Sequence, residues 1–346
     1  MDVRLWSVVA EPVALAAAGV GAAARQGGRA VFGVGADALV VIVDGGFRTA
    51  DEVSVSGPFP RQVEKLLIGD GGRVPVVAFA RLPEGCLALG GARVVRMGHR
   101  RGVLHDLGLY LDAPLTYDLL DRVRPTAPPP AQPDVDWVEL LPGEPEAALQ
   151  QFVAGWYGDL PAAATPAGDG PEPLRAFYRA AAGRPEVYGV STRIWPEPIS
   201  SPELPEGTLG FGQEGDGVFT LLMEEGARNP PVYYHGLSDR PLRERERLAG
   251  YLLLSALSHA AMDSSPGGMA FVDKAQVKRI VAPLRKVPMK PMRWPSARSR
   301  FYVGPGIVVL VGDDDADWYE VYVGARHRSL LRRLRKLGLD WEVFDG

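Results

Sequence analysis

Apolar positions follow two distinct periods along the chain. Leu149, Phe152, Val153 and Trp156 recur at helical spacing and predict an amphipathic helix over 144–156. Leu174, Phe177, Tyr178 and Ala181 repeat that stripe and predict a second, shorter helix over 173–182. Short unbroken apolar runs at 38–43, 74–80 and 86–89 have the length of buried strands, the first closing at the turn signal Asp44-Gly45. Gly90-Gly91 then reads as a hairpin turn into a strand over 92–97. An Ala-rich stretch predicts a helix at 12–25. Asp112 with Pro114 starts another through Val123, with Leu115, Leu119 and Leu120 on one face.

Downstream, strands are expected at 208–211, 218–223, 232–234, 301–303, 307–311 and 318–323. The longest predicted helix covers 242–262, with a charged first half (Arg243-Glu-Arg-Glu-Arg247) and an apolar second half. A closing helix over 328–337 carries Leu330, Leu331, Leu334 and Leu337 on one side, basic residues on the others, and stops at Gly338.

Between these halves lies Arg124-Pro-Thr-Ala-Pro-Pro-Pro-Ala-Gln-Pro133, where five of ten residues are proline. Proline removes backbone donors and favours stiff, extended geometry, so this segment reads as a linker. The expected organisation is an N-terminal α+β domain over 1–123, the linker over 124–133, and an interaction domain over 134–346. A length of 346 residues suits two cores better than one.

Composition narrows the classes. Hydrophobic residues make up 46% of the chain, enough for packed cores, so most of it is expected to fold. A formal net charge of −4 argues against broad electrostatic capture of nucleic acid. Cys86 is the only cysteine, which excludes an intramolecular disulfide and fits a cytoplasmic protein. The Ala-rich N-terminal stretch lacks a positively charged start and is broken by Glu11-Pro12, so it does not read as a signal peptide. No apolar run reaches the length of a membrane helix, and no membrane insertion is expected.

Catalytic and ligand signatures are weak. Gly33-Val34-Gly35 lacks the third glycine of a dinucleotide fingerprint and is followed by a strand. The five histidines show no metal-ligand spacing, and neither Glu224-Glu225 nor Asp313-Asp314-Asp315 has the alternating oxygens of a calcium loop. No cofactor or metal is therefore expected. His105-Asp106 is the one adjacent acid/base combination, and it anchors the enzyme reading. Cys86, in an apolar run, reads as a buried structural thiol.

From Leu204 onward the order of motifs resembles actinobacterial members of the SUKH superfamily. The residues that carry the resemblance are Leu204-Pro-Glu-Gly-Thr-Leu-Gly-Phe-Gly-Gln-Glu-Gly-Asp-Gly-Val-Phe219, Asn229-Pro230-Pro231-Val232-Tyr233 and the helical run at 248–262. It resumes in Trp294-Pro295, Phe301-Tyr302-Val303-Gly304-Pro305-Gly306 and Gly324-Ala325-Arg326-His327-Arg328. The resemblance covers at most the C-terminal two thirds. It implies an α+β domain with a mainly antiparallel sheet and helices on one side, and a role as an immunity protein or adaptor. The chain departs from the family pattern at Gly215-Asp216-Gly217, where Asn-Gln-Gly is usual.

The expected function is a non-enzymatic protein-binding module that neutralises a toxin, such as a basic nuclease, by covering its active site. The alternative is a scaffold or regulatory subunit of a bacterial assembly, and the third reading is an enzyme using His105 and Asp106. The expected partner site gathers Trp294, Tyr302, Asp313, Asp314, Asp315, Trp318 and Tyr319. Its four rings fall within 26 positions in a chain with 8% aromatic residues. Successive strand residues face opposite sides, so Trp318 and Tyr319 cannot both enter one core.

Overall fold

The computed structural model describes residues 4–68, 74–124, 128–160, 170–313 and 317–346. The chain is α+β and divides into two compact units, Met1–Ala127 and Pro128–Gly346.

The first unit runs β1 (Val8–Val9), α1 (Glu11–Ala16), β2 (Ala23–Gly27), β3 (Ala30–Val34), β4 (Leu39–Val43), β5 (Glu52–Ser56) and α2 (Arg61–Ile68). It continues with β6 (Val76–Leu82), β7 (Gly85–Arg100), β8 (Val103–Leu111) and α3 (Tyr117–Val123). The strands form one sheet in the order β2-β3-β4-β6-β7-β8-β5, with β1 added on β7. Among the described residues, only β4 and β6 run parallel. Every residue of β4 is buried, because the strand has a core on each face. Leu39, Val41 and Val43 join Phe32, Leu89 and Leu109, whereas Val40 and Ile42 meet Ala14, Ala18 and Cys86 beneath α1.

Three expectations change in this unit. The helix predicted over 12–25 ends at Ala16, because Gly19 and Gly21 adopt positive φ of 107° and 76° and redirect the chain into β2. Gly90-Gly91 is no turn: β7 runs through it with a bulge, Ala78 facing Gly90 and Phe79 facing Ala88. The hairpin turn lies instead at Arg101-Gly102, both at positive φ. The helix expected from Asp112 begins at Tyr117, where the Thr116 hydroxyl accepts from the Leu119 amide.

In the second unit, a 3-10 turn at Asp136–Leu140 precedes α4 (Pro145–Trp156) and α5 (Glu172–Ala181). Both predicted stripes are buried. The chain continues with β9 (Thr192–Ile199), β10 (Thr208–Glu214), β11 (Thr220–Glu224), β12 (Pro231–His235), β13 (Leu242–Arg247) and α6 (Leu248–Met262). Then come β14 (Gly267–Val272), α7 (Lys274–Val281), β15 (Arg285–Lys286), β16 (Arg300–Gly304), β17 (Ile307–Gly312) and β18 (Tyr319–Ala325). A 3-10 turn leads to α8 (Arg332–Arg335) and β19 (Trp341–Phe344). Two antiparallel sheets result, β13-β12-β11-β10-β9 and β15-β16-β17-β18-β14-β19.

The single helix predicted over 242–262 is a strand followed by a helix. Alternating Arg and Glu in β13 fit a pleat, with Glu244 buried and Arg243 exposed against β12. α6 is apolar all round and buried throughout, as expected of a central helix. It lies against β14, β17 and β18 and also touches α4 and α5. Phe301, Val303, Val308 and Leu310 share its core. The alternate residues Val309, Val311, Val321 and Val323 are equally buried, so the six-stranded sheet is covered on both faces rather than one. α7 and the turn before α8 also contact β18. The closing helix is a 3-10 turn plus one α turn, which buries Leu331 and Leu334.

Candidate functional site

The expected aromatic and acidic cluster separates into parts. Trp294 packs edge-on against Phe219, ring centroids 5.1 Å apart, and serves as a wall of the core. Tyr302 stands half-buried on β16 opposite Lys286 and Val309, displaced along the sheet from Tyr319. Asp313 is not an open acidic rim. It accepts from Arg298 Nε and from Arg300 Nη1, each at 3.3 Å. Burial pushes its carboxyl up, but the two guanidinium groups outweigh that and hold it below the usual carboxylate range. Asp314 and Asp315 lie outside the described residues. Tyr319 is half-buried opposite Val272, while Trp318, just before the strand, leaves 61% of its surface in solvent.

Trp318 has apolar company that the sequence did not reveal. Phe271 pairs with Glu320, and Met269 pairs with both Tyr322 and Val343. Residues paired across neighbouring strands share a face, so Phe271, Met269 and Val343 line up across β14 and β19. Trp318 stands two positions ahead of Glu320, in the bend that leads into β18. Phe271 and Val343 are 52% and 53% exposed. On that same face, Glu320 accepts from the hydroxyls of Tyr322 (2.6 Å) and Ser296 (3.3 Å). These bonds fix β18 while leaving the apolar strip open. The sequence signals were the alternations Met269-Ala-Phe271-Val and Trp341-Glu-Val343-Phe, which show a face only once the register is known.

Other groupings serve the fold. Ser255 Oγ lies 3.3 Å from His259 Nε2, and His259 Nδ1 faces the Val187 carbonyl at 3.2 Å, so Nδ1 carries the proton of the neutral ring. The pair has the contacts of a nucleophile and base, yet Ser255 is fully buried and His259 is 2% exposed, sealed inside α6. Asp263 is committed to the loop before β9, accepting from Val190 N and Ser191 Oγ.

Burial lowers the His259 pKa below its ordinary value, and the nearby Asp263 carboxylate opposes this only in part. Above about pH 6.5 the ring is neutral in both folded and unfolded chains, and stability does not depend on it. Below that, the unfolded chain takes the proton first and stability falls by up to about 1.4 kcal/mol per pH unit. Denaturation of wild type and His259→Gln between pH 7 and pH 5 should show this slope in the wild type only. Equal slopes in the two proteins would remove His259 as its source.

His105 Nδ1 stands 3.9 Å from Asp106 Oδ2, beyond hydrogen-bond reach, and Asp106 leans toward Arg100 at 3.8 Å. The two therefore do not form an acid/base pair. Cys86 is buried, and burial pushes its thiol up, away from reactivity. Among the described residues no group of three His, Cys, Asp or Glu side chains is placed to hold a metal ion. A cleft of about 360 Å³ between α4 and the β16–β17 turn is lined by Trp137, Phe152, Trp156 and Ile307, with Asp134 the only carboxylate among its described lining residues. A lone carboxylate on an apolar cleft supplies no acid/base partner.

Comparison with protein-family models, curated proteins and solved structures yields no match. Among the described residues no helix is long and apolar enough to cross a membrane.

Proposed function

We propose that this chain is a non-enzymatic protein-binding module of the cytoplasm that uses the open face beside Trp318 to dock a partner. One observation carries the reading: a tryptophan with 61% of its surface in water stands at the entry to β18, and Phe271 and Val343 of the same sheet are 52% and 53% exposed. Indole combines a large apolar area with few rotatable bonds, so it loses little entropy when covered. Contiguous exposed apolar groups on an otherwise polar surface favour an interaction site. The SUKH-like order of motifs favours an immunity role, in which the module covers the active site of a toxin. Exposed Asp317 and Glu342 near this face suit a basic partner such as a nuclease.

The test is co-expression with a toxin encoded beside the chain. Wild type is expected to protect the cell and co-purify with the toxin. Trp318→Ala combined with Phe271→Ala should lose both effects, whereas Val20→Ser, at an exposed site in the other unit, should lose neither. Protection that survives the double substitution would exclude this face.

A further inference from the structure

β7 is paired on both sides only over its first half. Up to Ala92 it runs beside β6, but β6 begins at Val76, the partner of Ala92. From Arg93 to Arg100 the strand pairs with β8 alone, and among the described residues nothing pairs with its other edge. Such an edge presents unpaired backbone donors and acceptors.

Beside it lies a groove of about 420 Å³ whose walls include Leu66 and Leu67 of α2, Val74, and Val94, Val95 and Met97 of β7. Val95 and Met97 are 55% and 37% exposed. Beyond the groove, His99 Nε2 meets Glu64 Oε1 at 2.9 Å and ties the strand to α2. The surroundings are cationic. The Arg93 and Arg100 side chains are 71% and 69% exposed, each in a long ion pair, with Asp112 at 3.9 Å and Asp106 at 3.8 Å. Arg96 and Arg101 are exposed as well.

From this geometry we infer that the Arg93–Arg100 edge of β7 accepts an extended, acidic segment of a partner protein as an added strand. Backbone pairing supplies the shared recognition, alternate apolar side chains of the segment enter the groove, and the intervening carboxylates meet the arginines. The charge decides against a second copy of this chain, since two such edges in antiparallel register would set arginines against arginines. The aliphatic groove decides against nucleic acid, because Val95 and Met97 offer no ring on which a base stacks.

The experiment pans the full chain against a displayed library of random linear peptides. Recovered peptides are expected to alternate acidic with aliphatic residues. A synthetic copy of the strongest binder should slow hydrogen exchange at the backbone amides of residues 93–100. Val95→Asp with Met97→Asp, both at exposed positions, should weaken it at least about tenfold. Arg93→Glu with Arg100→Glu keeps the aliphatic wall of the groove and should reverse the charge preference of the peptides recovered. The inference is overturned if no peptide is recovered, if binders ignore both variants, if protection falls elsewhere, or if the chain instead dimerises through this edge. None of these outcomes involves Trp318, so they are independent of the reading above.

Discussion

Replacing Glu244 with leucine should destabilise the second unit by about 3–5 kcal/mol, the size expected when buried donors lose a charged acceptor. Glu244 is 3% exposed on β13. Its Oε2 accepts from the Tyr234 hydroxyl at 2.6 Å and from the Arg293 amide at 2.9 Å, and its Oε1 accepts from the Arg245 amide. Burial drives the Tyr234 hydroxyl far above its ordinary pKa, so it remains a proton donor throughout the folded range. Leucine leaves these donors without their acceptor, the buried Tyr234 hydroxyl above all.

The damage extends to the segment before β16. Arg245 donates to the carbonyls of Pro291 and Ala297 at 2.9 Å, and Glu246 accepts from the Lys290 amide at 3.0 Å. The Arg-Glu alternation of β13 therefore holds the loop that delivers Trp294 to Phe219. Chemical denaturation followed on the transition of this unit gives the value. Glu244→Gln, which keeps one acceptor, should lose less than leucine does. A leucine variant within about 1 kcal/mol of wild type would show that the network contributes little.

Gly324→Ala should cost at least about 3 kcal/mol, at the upper end for overpacking. A Cβ added to Gly324 would stand within bonding range of the Ala260 carbonyl oxygen of α6, and 3.1 Å from Ala261 Cα. Both obstacles are backbone, so no side-chain rotation relieves them. α6 has no room to retreat, because its residues from Leu248 to Ala261 are buried on every side. Gly143 supplies the control: its added Cβ meets nothing nearer than 3.8 Å, and alanine there should stay within about 0.5 kcal/mol of wild type. Comparable stability of the two alanine variants would mean that β18 and α6 are not in direct backbone contact.

The elements legible in the sequence were those whose burial follows one local period. α4 and α5 carry clean stripes at three and four residues, and β4 is an unbroken apolar run. The boundary between β13 and α6 was lost because Arg243 to Arg247 read as the polar start of a helix. Its two-residue alternation was the better signal, since Glu244 alone turns inward. Gly90-Gly91 misled for another reason. Gly91 makes room for the Asp112 carboxylate just past the end of β8, a need no local pattern displays.

For the candidate site, alternation placed one ring of Trp318 and Tyr319 outward, and Trp318 is the exposed one. The shared face of Phe271 and Val343 was invisible, because it arises only through pairings between distant strands. Asp313 was misread as a rim charge for the same reason. Its arginine partners come from the turn before β16, which carries Arg298, and from Arg300 at the start of β16, the antiparallel partner of β17.

The central claim is that the face beside Trp318 is where this chain holds a protein. Titration of the co-purified toxin into wild type and Trp318→Ala, with folding of both checked by denaturation, tests it most directly. The expected result is a loss of about 2 kcal/mol, or about thirtyfold in Kd, carried mainly by faster dissociation. An unchanged Kd for a folded Trp318→Ala protein would contradict the claim.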